Sequence, residues 1–294
     1  RDVSDTTIVA QFKVIRNRVS EFLFDEAGES LYFLAWTTTP WTLPSNTALA
    51  VGPSIDYYKV KTFNIYTGQH ISVLLAKDCF SAYFNAKDVA LSVEEYKAGD
   101  KHIPYKIAGV YKGNLLTGIC YKQLFSWVKP MGKAFEVIAG DYVTTGDGTG
   151  IVHIAPTFGS DDDRVAKVAG IVPLILIDKN GEKCPMVDLR GRFFRLNDLD
   201  KTFINHYIDK EKYGKYAGRF VKNDYDPTLT KADTTLDVDL AIVLKKENKA
   251  FRIEKHTHSY PHCWRTDKPI LYYPLDSWFI KTTAVKERMI ALNK

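Results

Sequence analysis

Short apolar runs separated by turn residues fill the first half of the chain. Thr7 to Val14, Leu31 to Trp36, Ala48 to Val51, Tyr57 to Lys61 and Ile71 to Ala76 are rich in β-branched and aromatic residues, the signature of strands. Phe135 to Ala139, Ile151 to Ala155 and Leu174 to Ile177 read the same way. Helical signals are fewer. Ser81 to Ala90 is weakly helical, Asp200 to Lys210 reads as a helix, and Ala284 to Leu292 as an amphipathic one. Ser160 is placed to cap a helix running to Val168, whose first turn carries Asp161, Asp162 and Asp163 where the helix dipole favours acids. No repeat or low-complexity linker breaks the chain. The regular β–α alternation of a doubly wound sheet is missing, so the pattern predicts an antiparallel, barrel-like α+β domain.

Two stretches depart from that pattern. The first, Trp36-Thr37-Thr38-Thr39-Pro40-Trp41-Thr42-Leu43-Pro44-Ser45-Asn46, sets four threonine hydroxyls, two indoles and an amide between two apolar segments. Such a run is poor core material, and its prolines rule out a continuing helix or a regular central strand. It predicts a shaped loop with hydroxyls and free amides beside aromatic walls, suited to a small-ligand pocket. A Pro-rich connection whose threonines cap turns is the alternative. The second stretch, Gly140 to Asp163, joins a Gly-rich turn, an apolar strand carrying His153, and an acidic helix start. Gly146, Gly148 and Gly150 do not form a dinucleotide fingerprint, because a strand-like run follows them instead of a helix. A hairpin with close backbone approach to a ligand is the better reading.

Together, the WTTTPWTLPSN run, the GTGIVH strand with the following Ala155-Pro156, and the Asp161 to Asp163 run resemble the editing domain of isoleucyl-tRNA synthetase. They occur in the expected order, about 100 residues apart. The resemblance implies a β-barrel core with peripheral helices, and hydrolysis of misactivated valine: chiefly deacylation of valyl-tRNA(Ile), with valyl-adenylate as a second substrate. It implies the tRNA(Ile) acceptor end and the rest of the synthetase as partners, no cofactor, no metal, no membrane association, and a cytoplasmic location. The match is close over residues 1–60 and 123–172. Residues 1–294 are expected to form one editing domain. Within it, residues 180–249 would be a lineage-specific elaboration, and residues 258–294 an exit segment towards an absent catalytic domain. The nucleotide-binding signatures HIGH and KMSKS do not occur, so aminoacylation is not expected. Abrupt ends read as those of a piece of a larger protein. At Pro156 to Ser160 the chain departs from bacterial forms, which predicts a eukaryotic cytosolic type.

Candidate chemistry follows from both sources. A carboxylate is the natural partner for the α-ammonium of an aminoacyl ester, and the resemblance places that role on Asp162. All three aspartates could instead serve only the helix dipole. His153 is either a satisfied core histidine or a group titrating near neutrality; the resemblance puts it in the pocket, assisting recognition and reaction. Thr37 and Thr38 are expected to act in catalysis. Thr39, Thr42, Asn46 and Trp36, with Gly148, Thr149 and Gly150, are expected to bind substrate. Trp41 is either a second wall or core. No GxSxG elbow and no Ser-His-Asp order is present, so water held by hydroxyls and amides, helped by the terminal ribose hydroxyl, is the economical mechanism. A noncatalytic tRNA-binding or structural insert is the rival function.

Composition adds little beyond this. With 40 Lys and Arg against 35 Asp and Glu, the chain carries +5, which permits a nucleic-acid contact without demanding one. The cations Lys210, Lys212, Lys215, Arg219, Lys222, Lys245, Lys246 and Lys249, with Tyr213, Tyr216 and Phe220, form either a tRNA-facing patch or a solvated face. Cys79, Cys120, Cys184 and Cys263 form no CxxC pair and read as free thiols in a reducing compartment. His256, His258, His262 and Cys263 fit no closed zinc pattern.

Overall fold

Residues 7–12 of the first strand are buried on both faces, and Ile8, Val9, Ala10 and Phe12 supply the apolar side chains for them. In β1 (Asp2–Lys13), Ile8, Ala10 and Phe12 face the larger core, while Val9 faces a second one. β2 (Leu31–Thr37) divides in the same way: Leu31, Phe33 and Ala35 on one side, Tyr32 and Leu34 on the other. The computed structural model describes residues 1–91, 96–230, 233–275, 277–278 and 280–293. Asp276, Phe279 and Lys294 of the expected exit segment lie outside the described residues, as do residues 231–232 of the expected elaboration.

Among the described residues the remaining strands are β3 (Ala48–Val51), β4 (Asp56–Phe63), β5 (His70–Ala76), β6 (Lys106–Lys112), β7 (Glu136–Ala139), β8 (Ile151–Ile154), β9 (Leu176–Ile177), β10 (Lys183–Cys184) and β11 (Ala250–Ser259). The large sheet has the order β11-β1-β2-β5-β4-β6, and a smaller one the order β7-β3-β8. β2 runs parallel to β5, and β3 parallel to β7; the other pairings are antiparallel. The expected barrel is therefore corrected: both sheets are open and mixed, within an α+β fold. β11 and β6 remain edges, and each carries the charges that protect free edges: Arg252, Glu254 and Lys255 on one, Lys106 and Lys112 on the other.

Among the described residues the helices are α1 (Gly113–Leu116), α2 (Ser160–Val168), α3 (Lys201–Tyr207), α4 (Lys210–Gly214), α5 (Leu236–Lys246) and α6 (Lys286–Leu292). α2 has the expected span, but Gly159 takes the capping position and no side chain caps it. The expected helix from Asp200 splits into α3 and α4, capped by the carboxylates of Asp200 and Asp209. Ser81 to Ala90 forms parts of two 3-10 turns, not a helix. Leu174 to Ile177 is extended only at Leu176–Ile177. Residues 180–249 are built into the main core: Phe193, Phe203, Leu236, Leu240 and Leu244 share one cluster with Ile8 and Phe33. α6 carries no buried residue. Among the described residues, no helix is long and apolar enough to cross a membrane.

Candidate functional site

The Thr-rich stretch leaves β2 at Thr37 and winds into a short 3-10 helix over Pro40–Ser45. Pro40 fits the first position because its ring fixes φ and it lacks an amide that would go unpaired there. Contrary to its polarity, every residue of the turn is buried. Local bonds make that tolerable: Thr42 Oγ1 donates to Thr39 O at 2.9 Å, and the Thr39 amide donates to Thr37 Oγ1 at 3.1 Å. β8 brings His153 alongside, opposite Leu49 of β3.

His153 is clamped at both ring nitrogens. Nε2 lies 2.9 Å from Thr42 Oγ1, and Nδ1 lies 3.3 Å from Asn46 Nδ2. The Thr42 hydroxyl proton already points at Thr39 O and the Asn46 amide is a donor, so the consistent assignment is a neutral ring carrying its proton on Nε2. Asn46 is held in turn by Tyr121, whose hydroxyl donates to Asn46 Oδ1 at 2.7 Å, and by its own bond to Ala48 O at 2.7 Å. Burial pulls the His153 pKa down to about 4. The unfolded chain binds more protons at this histidine between about pH 4 and 6.5, so its contribution to stability is complete above 6.5 and is lost as pH falls towards 4. The loss should reach about 2 kcal/mol between pH 7 and pH 5. Urea unfolding of the wild type and of His153→Gln at both pH values checks this: equal losses in the two proteins would refute it.

The three aspartates of α2 differ in their partners. Asp161 pairs with Arg164 (3.6 Å), and Asp163 with Lys167 (2.5 Å), along the solvent side of the helix. Asp162 turns inward, and no cation pairs with it among the described residues. Its Oδ2 accepts the Ala155 amide at 2.8 Å. Burial raises its pKa, the Ala155 bond opposes that rise, and the nearby Asp161 adds to it. A Cβ at Gly159 would lie 2.9 Å from the Asp162 carboxylate carbon, so only glycine leaves this carboxylate its room.

These groups line one cleft of about 440 Å³. Trp36, Thr37, Thr38, Thr39, Thr42, His153 and Asp162 meet there, joined by Asp161, Tyr142, Phe158 and Tyr272. Asn46 stands behind His153, outside the lining. Gly148, Thr149 and Gly150 are also elsewhere. Gly148 abuts the Trp36 indole, Thr149 Oγ1 donates to Leu34 O at 2.7 Å, and Gly150 has φ +68° with Ala76 so close that a Cβ would collide. They brace Trp36 and β2 from behind. Trp41 is core, packed edge-on against Phe158 at 5.0 Å. Sequence reasoning missed Tyr142 and Phe158, although both sit in the stretch Gly140 to Asp163, and Tyr272, for which no local signal existed. The cationic cluster is not one open patch. Lys212, Lys215, Arg219 and Lys249 pair with neighbouring acids, while Lys222 and Tyr213 are buried. Among the described residues, no three His, Cys, Asp or Glu side chains group so as to hold a metal.

The whole chain aligns, at 60% identity over 294 residues, with isoleucine–tRNA ligase of Bacteroides fragilis. The chain is similar throughout to isoleucine–tRNA ligases. The enzyme of Porphyromonas gingivalis is 57% identical over 294 residues, and that of Clostridium acetobutylicum 36% over 293. All of this chain is covered in each case, but it spans only 25%, 26% and 21% of those proteins. No family model matches. Among solved structures, the editing domain of P. knowlesi cytosolic leucyl-tRNA synthetase superposes with a TM-score of 0.50 at 13% identity, over 87% of this chain and 98% of that one. That likeness concerns the fold alone. The isoleucine–tRNA ligases compared are bacterial, which overturns the eukaryotic cytosolic type expected from Pro156 to Ser160. Those residues run through the connection into the first residue of α2, and such connections vary more readily than the elements they join.

Proposed function

We propose that this chain is the editing domain of an isoleucine–tRNA ligase and hydrolyses valyl-tRNA(Ile), with valyl-adenylate as a second substrate. The observation that carries the reading is Asp162, a half-buried carboxylate with no cationic partner among the described residues, facing a cleft rich in hydroxyls. An entering α-ammonium would supply the missing charge and offset the cost of that burial. Thr37, Thr38 and Thr39 then hold the ester and a water, with the terminal ribose hydroxyl assisting. His153, neutral and engaged at both nitrogens, acts as a fixed wall and not as a base. In this reading residues 1–294 are one domain, residues 180–249 an elaboration, and residues 258–294 the exit towards a catalytic domain. The domain works in the cytoplasm on the tRNA(Ile) acceptor end. Such an editing site has a physical rationale. One methylene is worth about 1–3 kcal/mol of discrimination, a limit for which isoleucine against valine is itself the standing illustration.

The test is deacylation of valyl-tRNA(Ile) and isoleucyl-tRNA(Ile) by the chain at high concentration. Valine-selective hydrolysis is expected. Binding of tRNA without hydrolysis would instead favour a noncatalytic insert.

A further inference from the structure

Helix α5 reaches the cleft from behind through one side chain. Asp237, in its first turn, is 3% exposed, and its Oδ1 accepts the Trp41 amide at 2.9 Å. That amide is an orphan donor at the start of the Pro40–Ser45 turn, where Pro40 has none to offer. Its neighbours are the working groups: Thr39 precedes the turn, Thr42 meets His153, and the Trp41 indole backs the Phe158 wall. The carboxylate is itself held from the far side. Lys222, 9% exposed, lies 3.9 Å from Asp237 Oδ2 and 2.9 Å from Asp5 Oδ2, over the Tyr260 ring at 4.9 Å. Burial pushes the Asp237 carboxyl up to about 7, against the pull of Lys222 and the Trp41 amide. Packing α5 against the turn did not require an acid there, since an apolar side chain avoids the desolvation cost. What the carboxylate adds is a directional bond to one amide of the cleft-forming turn.

We infer that Asp237 is a positioning residue: its bond to the Trp41 amide sets the Pro40–Ser45 turn, and through it Thr39, Thr42 and the His153 ring, at the spacing that valine-selective hydrolysis requires. The inference rests on the deacylase reading above and gives residues 180–249 a part in it.

Asp237→Ala and Asp237→Asn, each checked for fold by circular dichroism, test the inference by kinetics and by amide exchange at Trp41. In Asp237→Ala, kcat on valyl-tRNA(Ile) should fall about tenfold, the loss of one hydrogen bond, with KM nearly unchanged. The preference for valyl over isoleucyl ester should shrink, and the Trp41 amide should lose protection while β1 and β2 keep theirs. Asp237→Asn, which retains an acceptor oxygen, should restore most of kcat and of the protection. Unchanged kcat and preference in the alanine variant would overturn the inference, as would an asparagine variant no better than alanine. If alanine prevents folding, the asparagine variant alone decides, by retaining or losing Trp41 protection and valine preference. If the wild type hydrolyses neither ester, the deacylase reading fails. Amide exchange then judges Asp237 separately, and a Trp41 amide still protected in Asp237→Ala would refute its role.

Discussion

Asp162→Ala is expected to lower kcat/KM for valyl-tRNA(Ile) by on the order of a hundredfold, with the fold intact. A hydrogen bond to a charged group contributes about 1.5–3 kcal/mol, and in a half-buried cleft the upper end applies. The carboxylate gives up solvation on folding and gains a charged partner only when an ammonium arrives, so its effect should appear with aminoacyl esters. An ester lacking the amino group should be hydrolysed equally by the two proteins. Asp163 supplies the control. It sits one residue along the same helix and is paired with Lys167 near solvent, so Asp163→Ala should stay within about threefold of the wild type, as expected for a surface pair. Steady-state deacylation of the three proteins decides the matter. Equal losses at both positions would mean that the helix terminus as a whole, not the inward carboxylate, carries the effect.

His153→Ala should change selectivity more than rate. The imidazole is fixed by Thr42 and Asn46, so it cannot swing aside for a larger side chain. Removing it opens more volume than the single methylene that distinguishes isoleucine from valine. The ratio of valyl to isoleucyl deacylation should therefore fall by about ten- to a hundredfold, the range one methylene can command. Valyl hydrolysis itself should drop only several-fold, because no proton transfer is assigned to this ring. Competition between the two charged tRNAs measures the ratio directly. A variant that still spares isoleucyl-tRNA would place the sieve elsewhere, with Phe158 or Tyr142 the next walls to shorten.

How far the sequence could be read depended on the range of the interactions involved. The Thr-rich run and the His153 strand stood out because their composition conflicts with their surroundings, and each conflict lies within a dozen residues. Asp162 was separable from Asp161 and Asp163 only once the helix placed Arg164 and Lys167 on the opposite side. Closure of the sheet was not readable at all, since whether β11 meets β6 depends on strands 140 residues apart having compatible tilt and stagger. β11 itself was hidden by the charges it carries as an edge, and α5 by the two aspartates of its first turn. Gly148, Thr149 and Gly150 looked like ligand contacts because a close backbone approach leaves the same trace whether the neighbour is a substrate or, as here, Trp36 and Ala76.

The pairing of Asp2 with Ser259, and of Ile8 with Ile253, has a consequence during synthesis. β1 leaves the ribosome with one edge waiting for a partner made more than two hundred residues later. At synthesis rates of about 5–20 residues per second that wait is roughly ten seconds or longer. During it, β1 presents an unpaired edge, the situation most open to intermolecular pairing. The Thr-rich turn is equally early, and α5, which holds its first amide, equally late. The Thr-rich side of the cleft is thus translated near the beginning but the cleft is assembled near the end, and a nascent chain released before β11 would carry every threonine of the site without the site.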